Sequence, residues 1–264
     1  MRSVIVLLLG LFVLCLPALS LAPTFYTAPC LLIGGDCNGP GGNMTVGPVD
    51  TTPYRGGFAV ITIATNIRNA CTSFTVTNTG GDTWVAHTNY ASSGGPDVNN
   101  CLWTATNFQG NAGDIINASN TSGASVYASM VVGLFDTSRS TSSPFDQSSG
   151  LGSTGNVTTI AAGSVTPTQC NELIVSGLAT TGASGTLSVD SGMTIGATIV
   201  DGVGGVNYWS SALAWKVQTS IAAINPTWTD SANITHATSV ATIKAANSTC
   251  PGGNSLTPAH SSTF

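Results

Sequence analysis

Few side chains in this sequence are equipped for chemistry. Of eleven acidic residues only Glu172 is a glutamate, and the remainder are aspartates. Glycosidic hydrolysis needs two carboxylates flanking the scissile bond. Nothing in the sequence selects an Asp to work with Glu172, which opens a predicted strand after a turn and reads as a capping or solvated carboxylate. The three histidines are scattered: His87 lies on a predicted strand beside Trp84, His236 opens another strand, and His260 is near the C-terminus. A nucleophilic triad needs an activated serine, and no Gly-x-Ser-x-Gly elbow occurs. No phosphate loop or dinucleotide glycine motif is present. These residues point away from an enzyme.

Binding chemistry concentrates between Trp84 and Trp103. This stretch gathers Trp84, His87, Tyr90, Asp97, Asn99, Asn100 and Trp103. Aromatic faces stack on sugar rings, and Asn and Asp hydrogen-bond hydroxyls, so carbohydrate is the favoured ligand class. The competing reading makes Trp84 and Trp103 core residues, as bulky strand aromatics usually are. Tyr90 and Asp97, in a predicted loop, are then the better candidates for exposure. Calcium prefers several oxygens in a turn. Asp97-Val-Asn-Asn100 and Asp201-Gly-Val-Gly-Gly205 are the two candidates, although ordinary turns use the same residues. No Cys-x-x-Cys occurs, which argues against structural zinc, and no metal ligands are assigned. Asn43, Asn117, Asn120, Asn156, Asn233 and Asn247 open Asn-x-Ser/Thr sequons, several of which arise by chance in so polar a chain.

The cysteines and the N-terminus speak to compartment. Met1-Arg2-Ser3 is followed by an apolar run to Leu16 and by Pro17, Ala18 and Ser20. This layout is that of a secretory signal peptide over residues 1–20, cleaved after Ser20. Cys15 falls inside it. The other six, Cys30, Cys37, Cys71, Cys101, Cys170 and Cys250, suit three disulfides of an oxidising compartment. Of the many possible connectivities, Cys30–Cys37, Cys71–Cys101 and Cys170–Cys250 are preferred. No later apolar stretch is long enough to span a bilayer. A secreted or extracellular-surface location follows as the expectation, with a glycan or cell-surface partner, and oligomerisation is a further expectation.

Composition removes other classes. Only 6% of residues are charged and the net charge is −5. Six cations make no basic patch, which excludes phosphate-backbone recognition and attraction to anionic lipid. With 42% hydrophobic residues the chain has ample material for a core.

Those residues alternate with a period of two. In Ser125–Phe135, Val126, Ala128, Met130, Val132 and Leu134 share a face. In Tyr208–Val217, Trp209, Leu213, Trp215 and Val217 oppose Ser210, Ala212, Ala214 and Lys216. In Ala237–Ala245, Ala237, Ala241 and Ile243 oppose Thr238, Val240, Thr242 and Lys244. Phe58–Thr65, Leu102–Thr106 and Leu173–Ala179 are further strands, and Cys71–Thr77 with Thr83–Thr88 reads as a hairpin around Asn78-Thr-Gly-Gly81. No sustained helical period occurs. The expectation is an all-β, two-sheet antiparallel sandwich, jelly-roll-like, of about ten to twelve strands, each buried on one face. A disulfide-pinned Gly/Pro-rich opening segment (21–56) precedes the sandwich domain (57–246), and a polar tail (247–264) follows. Residues 89–100 and 137–155 read as long loops.

Four segments in order carry a resemblance. They are Val76-Thr-Asn-Thr-Gly-Gly-Asp-Thr-Trp84, Val131-Val-Gly-Leu-Phe-Asp-Thr-Ser138 leading to Ser142-Ser-Pro-Phe-Asp146, Val165-Thr-Pro-Thr-Gln-Cys-Asn-Glu-Leu-Ile-Val175, and the Ala237–Ala245 strand. This layout resembles uncharacterised secreted Gly/Ser/Thr-rich β-sandwich domains of bacterial surface and phage-associated proteins. The resemblance implies a jelly-roll-like sandwich used in adhesion or display, without catalytic residues. The functional expectation is an exported, non-catalytic adhesion or binding module. A self-assembling surface or virion subunit is the alternative, and a glycan-cleaving enzyme is disfavoured by the lone Glu.

Overall fold

The computed structural model describes residues 22–29, 43–93, 97–123, 126–136, 143–201, 209–246 and 250. The strands are β1 (Thr24–Pro29), β2 (Asn43–Val49), β3 (Phe58–Thr65), β4 (Phe74–Asn78), β5 (Trp84–Ala91), β6 (Asn99–Thr106), β7 (Asp114–Asn120) and β8 (Ala128–Phe135). They continue as β9 (Phe145–Gly152), β10 (Val157–Ala161), β11 (Glu172–Thr181), β12 (Leu187–Val189), β13 (Thr194–Asp201), β14 (Trp209–Gln218), β15 (Thr227–Ile234) and β16 (His236–Ile243). Among the described residues, helix is confined to two single turns, Thr52–Tyr54 and Ala70–Ser73.

All strand pairs within the sheets are antiparallel. The all-β sandwich expectation therefore holds, in a doubled form. One five-stranded sheet runs β1-β8-β3-β6-β5 and faces the three-stranded sheet β2-β7-β4. A second five-stranded sheet runs β9-β16-β11-β14-β13 and faces β10-β15-β12. Adding eight to every strand number of the first half gives the second. In both halves the first strand pairs with the last and neighbours in sequence go to opposite sheets, a jelly-roll-like wrap. The one departure is shared: β5 and β13 each pair with the following strand and extend the larger sheet. Each carries a one-residue bulge there, between Ala86 and Asn89 and between Ile195 and Ala197. The two halves therefore repeat one strand order. A Thr-Pro turn precedes the central strand of both halves, Thr52-Pro53 before β3 and Thr166-Pro167 before β11. A positive-φ residue closes each turn, Gly56 and Asn171.

The two sandwiches stack through their five-stranded sheets, making four layers. The first outer core holds Met44, Phe74 and Ile116 of the small sheet against Ile61, Ile63, Met130 and Leu134 of the large one. The second holds Ile160 and Trp228 against Ile174, Leu178 and Val240. The middle layer joins Phe58, Val60, Leu102 and Val131 to Leu173, Val175, Leu213 and Ile243. A smaller patch of Ala64, Val98, Ala179, Trp209 and Ala237 lies at its other end. β3, β8, β11 and β16 are therefore buried at every position. The alternation read from sequence separates two buried faces, one outer-core and one middle-layer, where one buried face was expected. At roughly 25 cal/mol per Å² of apolar surface, each sealed layer contributes substantially to stability.

Between the two apolar patches the middle layer is crossed by a polar belt. Asn100 donates from Nδ2 to Thr62 Oγ1 at 2.8 Å, and Ser239 of the opposite sheet donates to Asn100 Oδ1. Ser211 Oγ reaches the Thr62 carbonyl at 3.4 Å. Gly177 faces this belt, and a Cβ there would sit 2.5 Å from Thr62 Oγ1. At the two seams, edge strands cross-pack as a pseudo-two-fold requires, β1 on β13 and β5 on β9. Each seam sets an aromatic ring on a bare glycine: Phe25 covers Gly196 and Tyr90 covers Gly150.

Several sequence expectations need correction. Phe74–Asn78 and Trp84–Ala91 do not form a hairpin, because the Asn78–Gly81 turn carries the chain between sheets and β4 pairs with β7, β5 with β6. Cys71–Ser73 is a helical turn. The opening segment contains β1 and β2, so residue 57 falls inside the first repeat; Gly and Pro dominate its composition, while Met44 and Val46 carry its inward face. Much of the expected loop over 137–155 is β9, whose Ser and Gly residues match the flat seam they line.

Candidate functional site

The seven residues grouped as a sugar site are parted by the fold. The β5 bulge and the two-residue period send them in different directions. Trp103 is buried in the first outer core, and Trp84 packs against the same core, edge-on to Phe108 at 6.3 Å between ring centres. Asn99 and Asn100 are fully buried, with Asn89 donating to Asn99 Oδ1 at 3.1 Å and Asn100 serving the polar belt. Tyr90 is the wedge over Gly150. Asp97 takes a two-pronged bond from Arg68, with Nε and Nη2 at 3.0 and 2.8 Å. The guanidinium holds the Asp97 carboxyl below its ordinary range. His87 lies flat on Phe145 of β9, with ring centres 3.9 Å apart and planes 7° from parallel. Its Nε2 meets Thr104 Oγ1 at 2.8 Å, and burial pushes its pKa down to about 4. A sugar would have to displace packing at six of these seven positions.

The calcium candidates fare differently. Asp97 is already engaged by Arg68, and Asn99 and Asn100 face inward. Residues 202–205 of the other lie outside the described residues, as do Cys30 and Cys37. Among the described residues no group of three or more His, Cys, Asp or Glu is placed to hold a metal.

Two of the preferred disulfides form. Cys71–Cys101 ties the helical turn before β4 to β6, with Cα atoms 5.4 Å apart. Cys170–Cys250 ties the turn before β11 to the segment after β16, at 5.1 Å. These pairs are compatible with an oxidising compartment. Among the described residues no helix is long and apolar enough to cross a membrane.

Buried polar groups cluster at three places. Asp114, fully buried, accepts from Thr51 Oγ1 at 3.1 Å and shares the Asn78 amide with Asp82. Burial, with Asp114 nearby, raises the Asp82 pKa. Asp230 and His236, each about 1% exposed, meet at 3.2 Å, and Asp230 also accepts the Gly185 and Ala232 amides. Both clusters pin loops of the small sheets.

The third cluster supplies the partner for Glu172 that sequence could not select. Asp146 is the extra residue of a bulge in β9, opposite the Thr242–Ile243 step of β16. Bulges re-aim side chains, and this one turns Asp146 under the turn over residues 166–171. The Thr168 amide lies 3.0 Å from both Asp146 Oδ2 and Glu172 Oε1, and the Gln169 amide caps Glu172 at 3.0 Å. Lys244 Nζ lies 3.4 Å from Asp146 Oδ1. Glu172 is fully buried, and burial, with Asp146 beside it, raises its pKa. Three of the four segments that carried the resemblance thus meet here. No family model, curated protein or solved structure matches the chain.

Proposed function

We propose that the protein is a non-catalytic, exported surface module that works by display and self-association. The observation supporting this reading is the character of its outer faces. The outward row across β2-β7-β4 is Thr45, Asn117 and Thr77, and the row across β12-β15-β10 is Ser188, Thr229 and Thr159. Neighbouring outward positions, Thr75, Ser119, Thr227 and Ser231, are also neutral. These flat sheets carry no ionised group to repel a second copy, and their edge strands offer unpaired backbone. The aromatics and amides expected to bind sugar are used instead in packing, which favours assembly over a carbohydrate groove.

Light scattering of the purified protein across a concentration series tests the reading, with Thr77→Lys and Thr229→Lys introduced together as the control. Reversible or ordered association of the parent, lost in the doubly charged variant, is expected. A strictly monomeric parent at high concentration, joined to binding on a glycan array, would replace this reading with the carbohydrate one.

A further inference from the structure

Edge strands are ordinarily guarded by proline, charge, a bulge, short length or a covering element. The edges of the large sheets, β1, β5, β9 and β13, are covered where they cross-pack at the seams. On the small sheets, β2 carries Pro48 and a bulge between Val46 and Val49, β10 carries a bulge between Val157 and Thr159, and β12 is only three residues long. β4, Phe74–Asn78, has none of these devices. It is regular against β7, uncharged and free of proline, and among the described residues β7 is the one strand hydrogen-bonded to it.

The free backbone groups of β4 follow from its register. Thr121 N donates to Ser73 O just before the strand, and Thr79 N donates to Ile115 O just after it, both pairs continuing the β4–β7 register. Bonded pairs alternate along an antiparallel ladder, so Thr75 and Thr77 spend their backbone groups on Ser119 and Asn117. The Phe74 carbonyl, the Val76 N–H and carbonyl, and the Asn78 N–H therefore face away from β7. We infer that this edge pairs with β4 of a second copy of the chain, antiparallel, about a two-fold axis at Val76. The inference rests on the self-association proposed above and names its contact. Turning β4 about Val76 sets each of those donors on an acceptor. The Val76 N–H of each copy meets the Val76 carbonyl of the other, and each Asn78 N–H meets the Phe74 carbonyl opposite. The Asn78 carbonyl needs no new donor, because Gly81 N already bonds it at 3.1 Å. The exposed side chains match as well: Thr75 comes to lie directly opposite the Thr77 of the second copy, a favourable cross-strand pair with no charge to oppose. Phe74 and Val76 point into the first outer core of their own copy. The two small sheets then become one continuous sheet in the order β2-β7-β4-β4-β7-β2. A two-fold contact of this kind consumes the edge, so it gives a dimer and leaves the neutral outer faces to carry any larger assembly.

Amide hydrogen exchange of the full chain, read residue by residue by nuclear magnetic resonance over a dilution series, tests the pairing. The Thr75 and Thr77 amides should be protected at every concentration. The Val76 and Asn78 amides should exchange freely in dilute protein and slow about tenfold once nine-tenths of the chains are paired, since only the unpaired fraction then exchanges. Cross-linking reads the register. Thr75→Cys mixed with Thr77→Cys should give a disulfide-linked dimer on mild oxidation, because directly opposite residues lie within disulfide reach. Either variant alone meets its own copy only on the diagonal, at about 7–8 Å, and should link far less. Both positions are exposed, and circular dichroism checks that the variants fold. Association by light scattering with Val76 exchange unchanged would overturn the β4 pairing and leave self-association through another surface. A chain that stays monomeric at high concentration would overturn both. A mixture linked no better than either variant alone would overturn the register about Val76.

Discussion

Acid should loosen the seam between the two sandwiches through His87. Its imidazole is sandwiched against Phe145, bonded to Thr104, and desolvated, which lowers its pKa from 6.5 to about 4. The folded form therefore resists protonation, while the unfolded chain accepts a proton near the ordinary value. Protons bind the unfolded state preferentially between these two values, so stability falls as pH drops through the window from 6.5 to about 4. With about 1.4 kcal/mol per pKa unit, the loss reaches about 2 kcal/mol by about pH 5 and about 3 kcal/mol below the folded value. Other groups titrate over the same range, so the parent must be compared with His87→Phe. That variant keeps a ring on Phe145 and removes the proton site, at the cost of the Thr104 bond. Urea unfolding of both proteins at matched pH values gives the difference directly. The variant should be less stable at neutral pH and gain on the parent steadily below about pH 6.5. Parallel stability curves for the two proteins would refute the desolvation argument.

Further outcomes follow from the packing. Gly177→Ala places a methyl 2.5 Å from Thr62 Oγ1 and 2.9 Å from Ser239 Oγ. Overpacking of this kind costs about 1–3 kcal/mol, measurable as a lower denaturation midpoint, whereas Gly155→Ala, with open space around it, should change little. Replacing Cys71 and Cys101 together by Ser removes a closed loop of 30 residues and should lower stability by about 3.6 kcal/mol in the chain-entropy model. Trp228→Phe deletes a buried indole N–H that donates to Ser176 Oγ at 2.9 Å. It should cost about 1–3 kcal/mol by leaving that hydroxyl short of a partner and the site underfilled.

Much of the fold was legible in strand texture. The faces assigned to β8, β14 and β16 are those observed, as Met130, Val132 and Leu134 in β8, Leu213 and Trp215 against Ala212 and Ala214 in β14, and Ala241 and Ile243 against Val240 in β16 show. What alternation could not convey is that the opposite face is also buried. Small side chains such as Ala64, Gly177, Ala179, Ala237 and Ser239 line the middle layer, and in sequence they look like solvent-facing positions. The bound between β4 and β5 failed for a related reason: Asn78-Thr-Gly-Gly81 has hairpin chemistry, and only the pairing of β4 with β7 shows that it crosses between sheets. The repeated strand order has one readable mark in the sequence, the Thr-Pro turn ahead of β3 and of β11. The sugar-site grouping rested on closeness in sequence, and the β5 bulge between Ala86 and Asn89 sends His87 to the seam while Trp84 and Trp103 share a core. Asp146, Glu172 and Lys244 are far apart along the chain, so no spacing rule could have joined them.

The two sandwiches share one buried middle layer. Methyl-labelled protein and nuclear Overhauser spectroscopy read this contact directly. The structure predicts cross-peaks from Val60, Leu102 and Val131 of the first repeat to Leu173, Val175 and Leu213 of the second. Methyl groups that report only contacts within their own repeat would contradict it.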